Sequence, residues 1–315
     1  MLSVFESIFP VILIAGLGYF VAVRKILRPS DIDGLSRFVY SLALPFLLFD
    51  SLVNAVWPAS FEWEFLLAFY VVSYLIFGLG ILFSRTWFHL APPEQGIFGL
   101  GASYSNLILV GLPVIATGLG EVAILPLLVL VSVQNLLLFP LVSLISHPRE
   151  PGTKLLVRMW KAIKRVASNP LTAGLALGFL VKVLAIPLPP IIADPIHLVA
   201  QAGLPGALIM LGASFHRYEV GRPNREALTM VGLKMLLQPL LVWVLAFVVL
   251  HLDTLWAAVA VLAAGMPTGV NAYVMAEQMH AGQRFVSASI WISTLLAIVS
   301  QAGMLAIFIS QGYVL

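Results

Sequence analysis

Ten apolar runs dominate the sequence, and they have about the length of membrane-crossing helices. A helix rises about 1.5 Å per residue, so a hydrocarbon core about 30 Å thick needs roughly 20 residues. The runs cover residues 4–23, 35–54, 65–83, 96–119, 122–145, 170–184, 191–215, 227–250, 255–279 and 286–310. Lipid offers the backbone no hydrogen-bond partners, so these runs must be helical or shielded by protein. The sequence therefore predicts an all-α membrane protein with ten transmembrane helices.

The composition excludes an ordinary soluble protein. Apolar residues make up 61% of the chain and charged residues 10%, against about 25% charged residues in globular chains. The chain has no cysteine, which excludes disulfides, thiol catalysis and thiolate metal sites. The histidines show no metal-ligand spacing. We therefore predict no metal and no cofactor.

Basic residues alternate between the connections that join the runs. Fifteen of the 17 lysines and arginines lie in or beside the odd-numbered connections, and only Lys182 and Lys234 fall elsewhere. Cytoplasmic loops of membrane proteins carry the excess of basic residues. The pattern predicts a multi-pass protein of the cell inner (plasma) membrane with both termini outside the cytoplasm. The positive net charge is explained by this topology, so no nucleic-acid partner is predicted.

The longest connection divides the chain into two halves. We predict a first five-helix repeat at 1–146, a basic cytoplasmic linker at 147–169 and a second five-helix repeat at 170–315. Five is an odd number, so similar halves would have opposite orientations in the membrane.

Two short motifs recur at matching positions of the halves. Leu44-Pro45 in the second run corresponds to Leu204-Pro205 in the seventh. Gly111-Leu112-Pro113 in the fourth run corresponds to Gly265-Met266-Pro267 in the ninth. These matches predict an inverted repeat. Paired, interrupted helices in such repeats are typical of a transporter site at mid-membrane.

The fourth run should break or kink near Pro113. Proline has no backbone N–H and clashes with the preceding helical turn, and Gly111 makes an interruption easier. Asn106 lies two turns earlier on nearly the same face. Its side chain could bind the freed backbone groups or a ligand. The alternative is an ordinary proline kink, with Asn106 bonded to a neighbouring helix.

The ninth run carries the same signal. Pro267 is followed by Thr268 and, one turn later, by Asn271. Two unwound helices crossing at the membrane centre would present helix N-termini, which attract anions. We therefore predict a pocket for a small carboxylate, formed by Asn106, Gly111, Pro113, Pro267, Thr268 and Asn271.

Ionisable residues inside membrane spans are functional candidates. Asp50 is a proton or cation site, or an interfacial residue at a helix end. Lys234 faces a cavity, pairs with an acid such as Glu277, or extends to the cytoplasmic surface. The sequence leaves these alternatives open.

The uncharged polar residues and the glycines inside the runs each have two possible roles as well. Gln134, Asn135 and Gln238 either join neighbouring helices or line the site. Gly174 and Gly178 allow close helix approach, and intramolecular packing is favoured over a dimer contact.

The motifs together resemble one protein family. They are Leu44-Pro45, Asn106 with Gly111-Leu112-Pro113, Asn169-Pro170, Lys234 with Gln238-Pro239, and Gly265-Met266-Pro267 with Asn271. In order and spacing, the chain resembles the auxin efflux carrier family of bacteria, which are relatives of the plant PIN-formed auxin exporters. The long cytoplasmic loop of the plant proteins is replaced here by a short one, so plant-type phosphorylation control is not expected.

The resemblance implies an architecture and an activity. It implies a scaffold of helices 1, 2, 6 and 7, often the dimer contact, and a transport domain of helices 3–5 and 8–10. Helices four and nine would cross at Pro113 and Pro267. The substrates would be organic anions, such as auxin or dicarboxylates, moved by an elevator-type alternating-access mechanism.

Three functional classes remain after the sequence is read. A secondary carrier of organic anions is favoured, with membrane lipid as its surroundings and a homodimer as one possible assembly. A membrane-embedded enzyme and a channel are the alternatives. The chain has no Walker loop, His-Glu-x-x-His or Gly-x-Ser-x-Gly sequence, which are the common signatures of nucleotide-driven and hydrolytic proteins. Coupling to protons, to sodium or to no ion stays open.

Overall fold

The fold consists of helices that run back and forth through a common core. A computed structural model describes residues 2–55, 62–146, 169–217 and 223–310. Within these ranges the regular structure is helical, and the only β-type pairing is one isolated bridge. The predicted basic linker, apart from Asn169, lies outside the described residues.

The described helices of the first half begin near its start and end at Ser146. They are α1 (Leu2–Val23), α2 (Pro29–Phe38), α3 (Leu44–Asn54), α4 (Glu64–Thr86), α5 (Pro92–Ser103), α6 (Leu112–Leu119) and α7 (Ile124–Ser146). A π-helical turn, Val39–Ala43, joins α2 to α3, and another, Leu107–Gly111, leads into α6. A short 3-10 turn, Glu121–Ala123, precedes α7.

The described helices of the second half follow the same general order. They are α8 (Pro170–Val183), α9 (Pro190–Gln201), α10 (Gly203–Arg217), α11 (Arg225–Gly232), α12 (Gln238–Trp243), α13 (Thr254–Ala264), α14 (Val270–Gln278) and α15 (Gln283–Ser310). π-Helical turns Leu233–Leu237 and Val244–Val249 flank α12.

Six helical stretches are long and apolar enough to cross a membrane. They are Pro29–Asn54, Glu64–Thr86, Glu121–Val142, Pro190–Ala213, Arg225–Val249 and Gln283–Ser310. Four further apolar helices lie in the remaining predicted runs: α1 and the shorter Leu107–Leu119, Pro170–Val183 and Thr254–Ala264. Two of these are short because the fourth and ninth runs lose their helical hydrogen bonding partway along. The chain is a multi-pass membrane protein.

The two halves pack against each other most extensively through their first two runs. The first run of each half packs against the second run of the other half: α1 against α10, and α8 against α3. A Cβ placed on Gly212 would lie 1.8 Å from the carbonyl oxygen of Ala15. A Cβ on Gly174 would lie 2.4 Å from that of Pro45. Gly174 and Gly178 therefore serve intramolecular packing, because α3 covers both of them.

Helix α13 is almost entirely buried. All its residues from Trp256 to Ala264 are buried, and most of them are alanines. Small side chains let neighbouring backbones approach closely in a membrane. Phe65 of α4 packs edge-on against Trp256, with ring centroids 5.1 Å apart. This contact packs the N-terminal end of α13 against α4, while the C-terminal end of α13 is buried next to the interruption of the ninth run.

Candidate functional site

The fourth run is interrupted at Tyr104–Asn106. Helix α5 ends at Ser103, and Tyr104 takes an extended conformation with φ −86° and ψ 116°. Helical structure resumes at Leu107. The sequence placed the interruption near Pro113, but Pro113 sits in the first turn of α6. The π-helical turn Leu107–Gly111 directly precedes it, and such local adjustments accommodate a proline inside a membrane helix.

The ninth run is interrupted between Ala264 and Val270, and the two interruptions meet. Ser105 and Thr268 form an isolated antiparallel bridge. The Asn106 N–H donates to the carbonyl of Pro267, and the Gly269 N–H donates to the carbonyl of Tyr104, each at 2.9 Å. Each segment thus supplies the backbone partners that the other lacks in lipid.

Side chains from neighbouring spans hold each extended segment in place. The Gln134 amide of α7 donates to the Ser105 carbonyl at 2.9 Å and accepts from the Ser105 N–H at 3.3 Å. The Thr268 N–H donates to Ser293 Oγ of α15 at 3.1 Å. The Thr268 hydroxyl donates to the Gly101 carbonyl at 3.0 Å. Gln134 and Thr268 therefore fix the crossing itself.

The eighth span caps the helix ends that point into the crossing. Lys234 is fully buried, and its ammonium donates to the carbonyl of Ala264, the last residue of α13. The Gln238 amide donates to the carbonyl of Ser103, the last residue of α5, at 3.2 Å. Cations and donors are favourable there, because the C-terminal end of a helix carries partial negative charge.

This arrangement corrects the sequence-based alternatives for Lys234. The side chain neither lines a described cavity nor extends to the surface. Glu277 is exposed, and no ion pair joins it to Lys234 within the described part of the chain. The partner is a backbone carbonyl, which leaves no side-chain signature in a sequence.

A polar cluster centred on Tyr104 lies beside the crossing. The Tyr104 hydroxyl donates to Asn135 Oδ1 at 2.5 Å and accepts from Asn271 Nδ2 at 2.8 Å. The ring stacks on Phe139, with centroids 5.6 Å apart. Sequence reasoning missed Tyr104, because a buried tyrosine in an apolar run looks like ordinary core.

Two cavities share Asn135 and Asn271. The smaller, of about 20 Å³, lies at the crossing and is also lined by Tyr104, Ser105 and Asn106. It has room for one water, which needs about 10–15 Å³. The larger, of about 160 Å³, extends from the same two asparagines to the start of α8 and the end of α14. Its lining residues are Asn135, Phe139, Asn169, Asn271, Val274, Met275 and Gln278.

The crossing leaves two buried polar atoms without a protein partner. Asn106 is 5% exposed and Ser105 is 1% exposed, yet Asn106 Nδ2 and Ser105 Oγ make no hydrogen bond. Asn106 Oδ1 is engaged, accepting from the Leu109 N–H at 3.3 Å. Buried polar groups are almost always satisfied. Because both residues line the smaller cavity, they mark a place for a bound polar molecule.

The site is uncharged. Among the described residues, no Asp, Glu, Lys, Arg or His lines either cavity. The donors and acceptors are amides, hydroxyls and backbone groups. Such a site can bind and orient a small polar molecule by hydrogen bonds.

The family is now defined by comparison with known proteins. The profile described as membrane transport protein matches residues 3–305. The chain belongs to this membrane transport protein family. The resemblance to auxin efflux carriers stated from the sequence is thereby confirmed.

Two relatives of this membrane transport protein cover nearly its full length. A protein of Rhizobium meliloti (strain 1021), provisionally named a malonate transporter, is 29% identical over 299 residues, covering 92% of this chain and 91% of the relative. An uncharacterized transporter of Methanothermobacter thermautotrophicus (strain ATCC 29096 / DSM 1053 / JCM 10044 / NBRC 100330 / Delta H) is 26% identical over 299 residues, covering 94% and 95%.

The predicted pocket residues of this membrane transport protein divide into two groups. Asn106 and Asn271 line the cavities. The other four, Gly111, Pro113, Pro267 and Thr268, line neither cavity. Pro267 and Thr268 form part of the crossing itself. A Cβ on Gly111 would lie 3.6 Å from Met266, so this glycine faces the ninth run. Of the supporting candidates, Gln134 and Asn135 also line a cavity, whereas Gln238 caps a helix end.

Asp50 belongs to a separate polar cluster. It lies near the end of α3, where Asp50 Oδ2 is 2.9 Å from His197 Nδ1. Asp50 Oδ1 also accepts from Asn54 Nδ2 at 3.0 Å. Asp50 lines neither of the two cavities at the crossing, so any role in ion coupling would be exerted at a distance from the pocket.

Proposed function

We propose that the protein is a secondary carrier of small organic anions, such as dicarboxylates, in the cell inner membrane. The observation that supports this most is the pair of unpartnered polar atoms, Asn106 Nδ2 and Ser105 Oγ, facing a small cavity at the crossing. Carboxylates accept hydrogen bonds from such donors. The relative provisionally named a malonate transporter makes malonate the first substrate to test.

The proposed mechanism is alternating access of elevator type. Helices α1–α3 and α8–α10 would form the scaffold, supported by their extensive mutual packing. The third to fifth and eighth to tenth spans would form the transport domain and carry the pocket across the membrane. With the orientation expected from the basic residues, the larger cavity opens toward the cytoplasm.

Uptake of labelled malonate into proteoliposomes tests the carrier assignment. We expect saturable uptake that is accelerated by malonate inside the vesicles, because exchange is a property of carriers. Non-saturating flux without exchange would favour a channel and refute the proposal.

Two substitutions test the pocket. We expect Asn106→Ala and Asn271→Ala each to abolish the rise in thermal midpoint caused by bound substrate, because a ligand stabilises only the state that binds it. Asn54→Ala, at the far end of α3, is the matched control and should retain the rise. Retention of the rise in both pocket variants would remove these asparagines from the site.

Engineered cysteines test the elevator, since the native chain has none. Leu52 of α3, Leu125 of α7 and Leu175 of α8 line one apolar cavity. Cross-linking Leu52→Cys to Leu125→Cys would tie scaffold to transport domain and should stop transport. Cross-linking Leu52→Cys to Leu175→Cys stays within the scaffold and should leave transport intact. Equal effects of the two cross-links would contradict the domain division.

A further inference from the structure

We infer that the pocket binds its substrate as a monoanion that also donates a hydrogen bond, such as a dicarboxylate carrying one proton. This inference rests on the proposed carrier function and specifies the chemical form of the substrate. It follows from the hydrogen-bond polarity of the cluster around Tyr104 and from the absence of charge in the described cavity linings.

The Tyr104 hydroxyl fixes the polarity of the two asparagines beside it. It has a single hydrogen, which it donates to Asn135 Oδ1, and it accepts from Asn271 Nδ2. Asn135 is thereby left with its NH₂ group for a ligand, and Asn271 is left with its carbonyl oxygen. If both amides were turned over, their roles would be exchanged. One free donor and one free acceptor would still face the cavities.

The remaining polar atoms at the crossing add donors. Asn106 Nδ2 can only donate, and the Ser105 hydroxyl can donate as well. A carboxylate in the larger cavity would accept from Asn135 directly, and from Asn106 and Ser105 through the one water that the smaller cavity can hold. The free carbonyl oxygen of Asn271 would instead require a hydrogen from the ligand. A fully ionised dicarboxylate has no such hydrogen, so it would leave this acceptor without a hydrogen bond from the ligand.

The charge of the pocket points the same way. No charged side chain lines either cavity among the described residues, and the buried ammonium of Lys234 is engaged by Ala264. The helix N-termini offer only partial positive charge. Removing a second negative charge from water without a counter-ion is costly. The monoanion avoids most of this cost.

Three small acids separate the substrate forms. Malonate can bind as a monoanion only when one carboxyl is protonated. Malonamate has one carboxylate and an amide that donates at every pH. Monomethyl malonate has one carboxylate and no donor. All three have similar size, so differences in their binding report on charge and hydrogen bonding.

The experiment measures inhibition of labelled malonate uptake, and thermal stabilisation of the purified protein, at about pH 5 and about pH 7. We expect malonate to bind about tenfold more weakly at the higher pH. Malonamate should bind equally well at both, which controls for titration of the protein. Monomethyl malonate should bind about tenfold more weakly than malonamate, a factor equivalent to ~1.4 kcal/mol.

Tyr104→Phe tests the positioning role of the hydroxyl. Both amides are then free to turn, so discrimination between malonamate and monomethyl malonate should fall to about twofold or less, while malonamate still stabilises the protein. Equal binding of the amide and the ester to the unaltered protein would overturn the inference and leave the carrier function standing. If none of the three acids binds and malonate is not transported, the proposed function itself fails.

Discussion

The two segments that meet at the crossing make the same backbone hydrogen bonds, but they differ in whether their polar side chains have hydrogen-bond partners. Each donates one N–H and accepts one hydrogen bond from the other. Thr268 of the second segment is fully engaged by Gly101, Ser289 and Ser293. Ser105 and Asn106 of the first segment keep an unpartnered hydroxyl and an unpartnered amide. The comparison suggests that the second segment holds the structure together and that the first contacts the substrate.

The largest effect on transport is expected where the segments touch most closely. A Cβ on Gly269 would lie 2.4 Å from the Tyr104 ring. Gly269→Ala should force the segments apart and lower the free energy of unfolding by ~1–3 kcal/mol, with loss of transport. Intrinsic tryptophan fluorescence during heating measures the change. Gly111→Ala is the control, because its Cβ would lie 3.4 Å from the nearest atom. An unchanged midpoint for Gly269→Ala would show that the crossing adapts freely.

The two helix-end caps should differ in strength. Lys234→Met removes a charged donor from Ala264 and should cost ~1.5–3 kcal/mol of stability, whereas Gln238→Leu removes a neutral donor and should cost about 1 kcal/mol. Thermal midpoints of both variants measure the order. A raised midpoint for Lys234→Met would mean that desolvating the ammonium costs more than its contact with the carbonyl returns.

Removing the lateral supports should separate binding from stability. Gln134→Leu frees the Ser105 backbone, so we expect the KM for uptake to rise about tenfold, as for the loss of ~1.4 kcal/mol of binding. Ser293→Ala loosens Thr268 and should change KM less than about threefold while lowering the thermal midpoint. Equal KM changes in the two variants would remove the functional distinction between the segments.

The smallest effect is expected where the connection before α4 contacts the connection before α13. The Glu62 carboxylate accepts from the Asp253 N–H at 3.1 and 3.2 Å. Burial, more than the neighbouring charges of Asp253 and Glu64, raises the pKa of Glu62 above 4.5. The folded state therefore holds this proton more tightly, and stability falls as pH rises from below 4.5 through the raised pKa.

Glu62→Gln tests this pH dependence. The variant should lose that part of the decline, as measured by thermal midpoints over the same pH range. If the decline persists unchanged, its origin lies elsewhere in the chain. Substrate discrimination at the crossing should be unaffected, because Glu62 lines neither of its cavities.

Sequence reasoning found the helical membrane fold, and it singled out two asparagines that line the cavities, from local features of the chain. Hydropathy is a property of each run by itself, and Asn106 and Asn271 were found by their distance from prolines. It misplaced the first interruption because a π-helical turn accommodates Pro113 inside a continuous helical stretch. It missed Tyr104 and the partner of Lys234 because their contacts come from other spans. Hydrogen bonds between spans that are far apart in the chain produce no recognisable residue spacing in a single sequence.

The bridge between Ser105 and Thr268 also bears on how the chain is made. About half of the chain is synthesised between the two residues that pair. Until the ninth run enters the bilayer, the backbone N–H of Asn106 and the backbone carbonyl of Tyr104 lack their hydrogen-bond partners. The extended segment of the fourth run therefore needs water or an insertion factor as its temporary hydrogen-bond partner. We expect the first half by itself to fold poorly. The backbone hydrogen bonds of the fourth run would then form only after most of the second half has been synthesised.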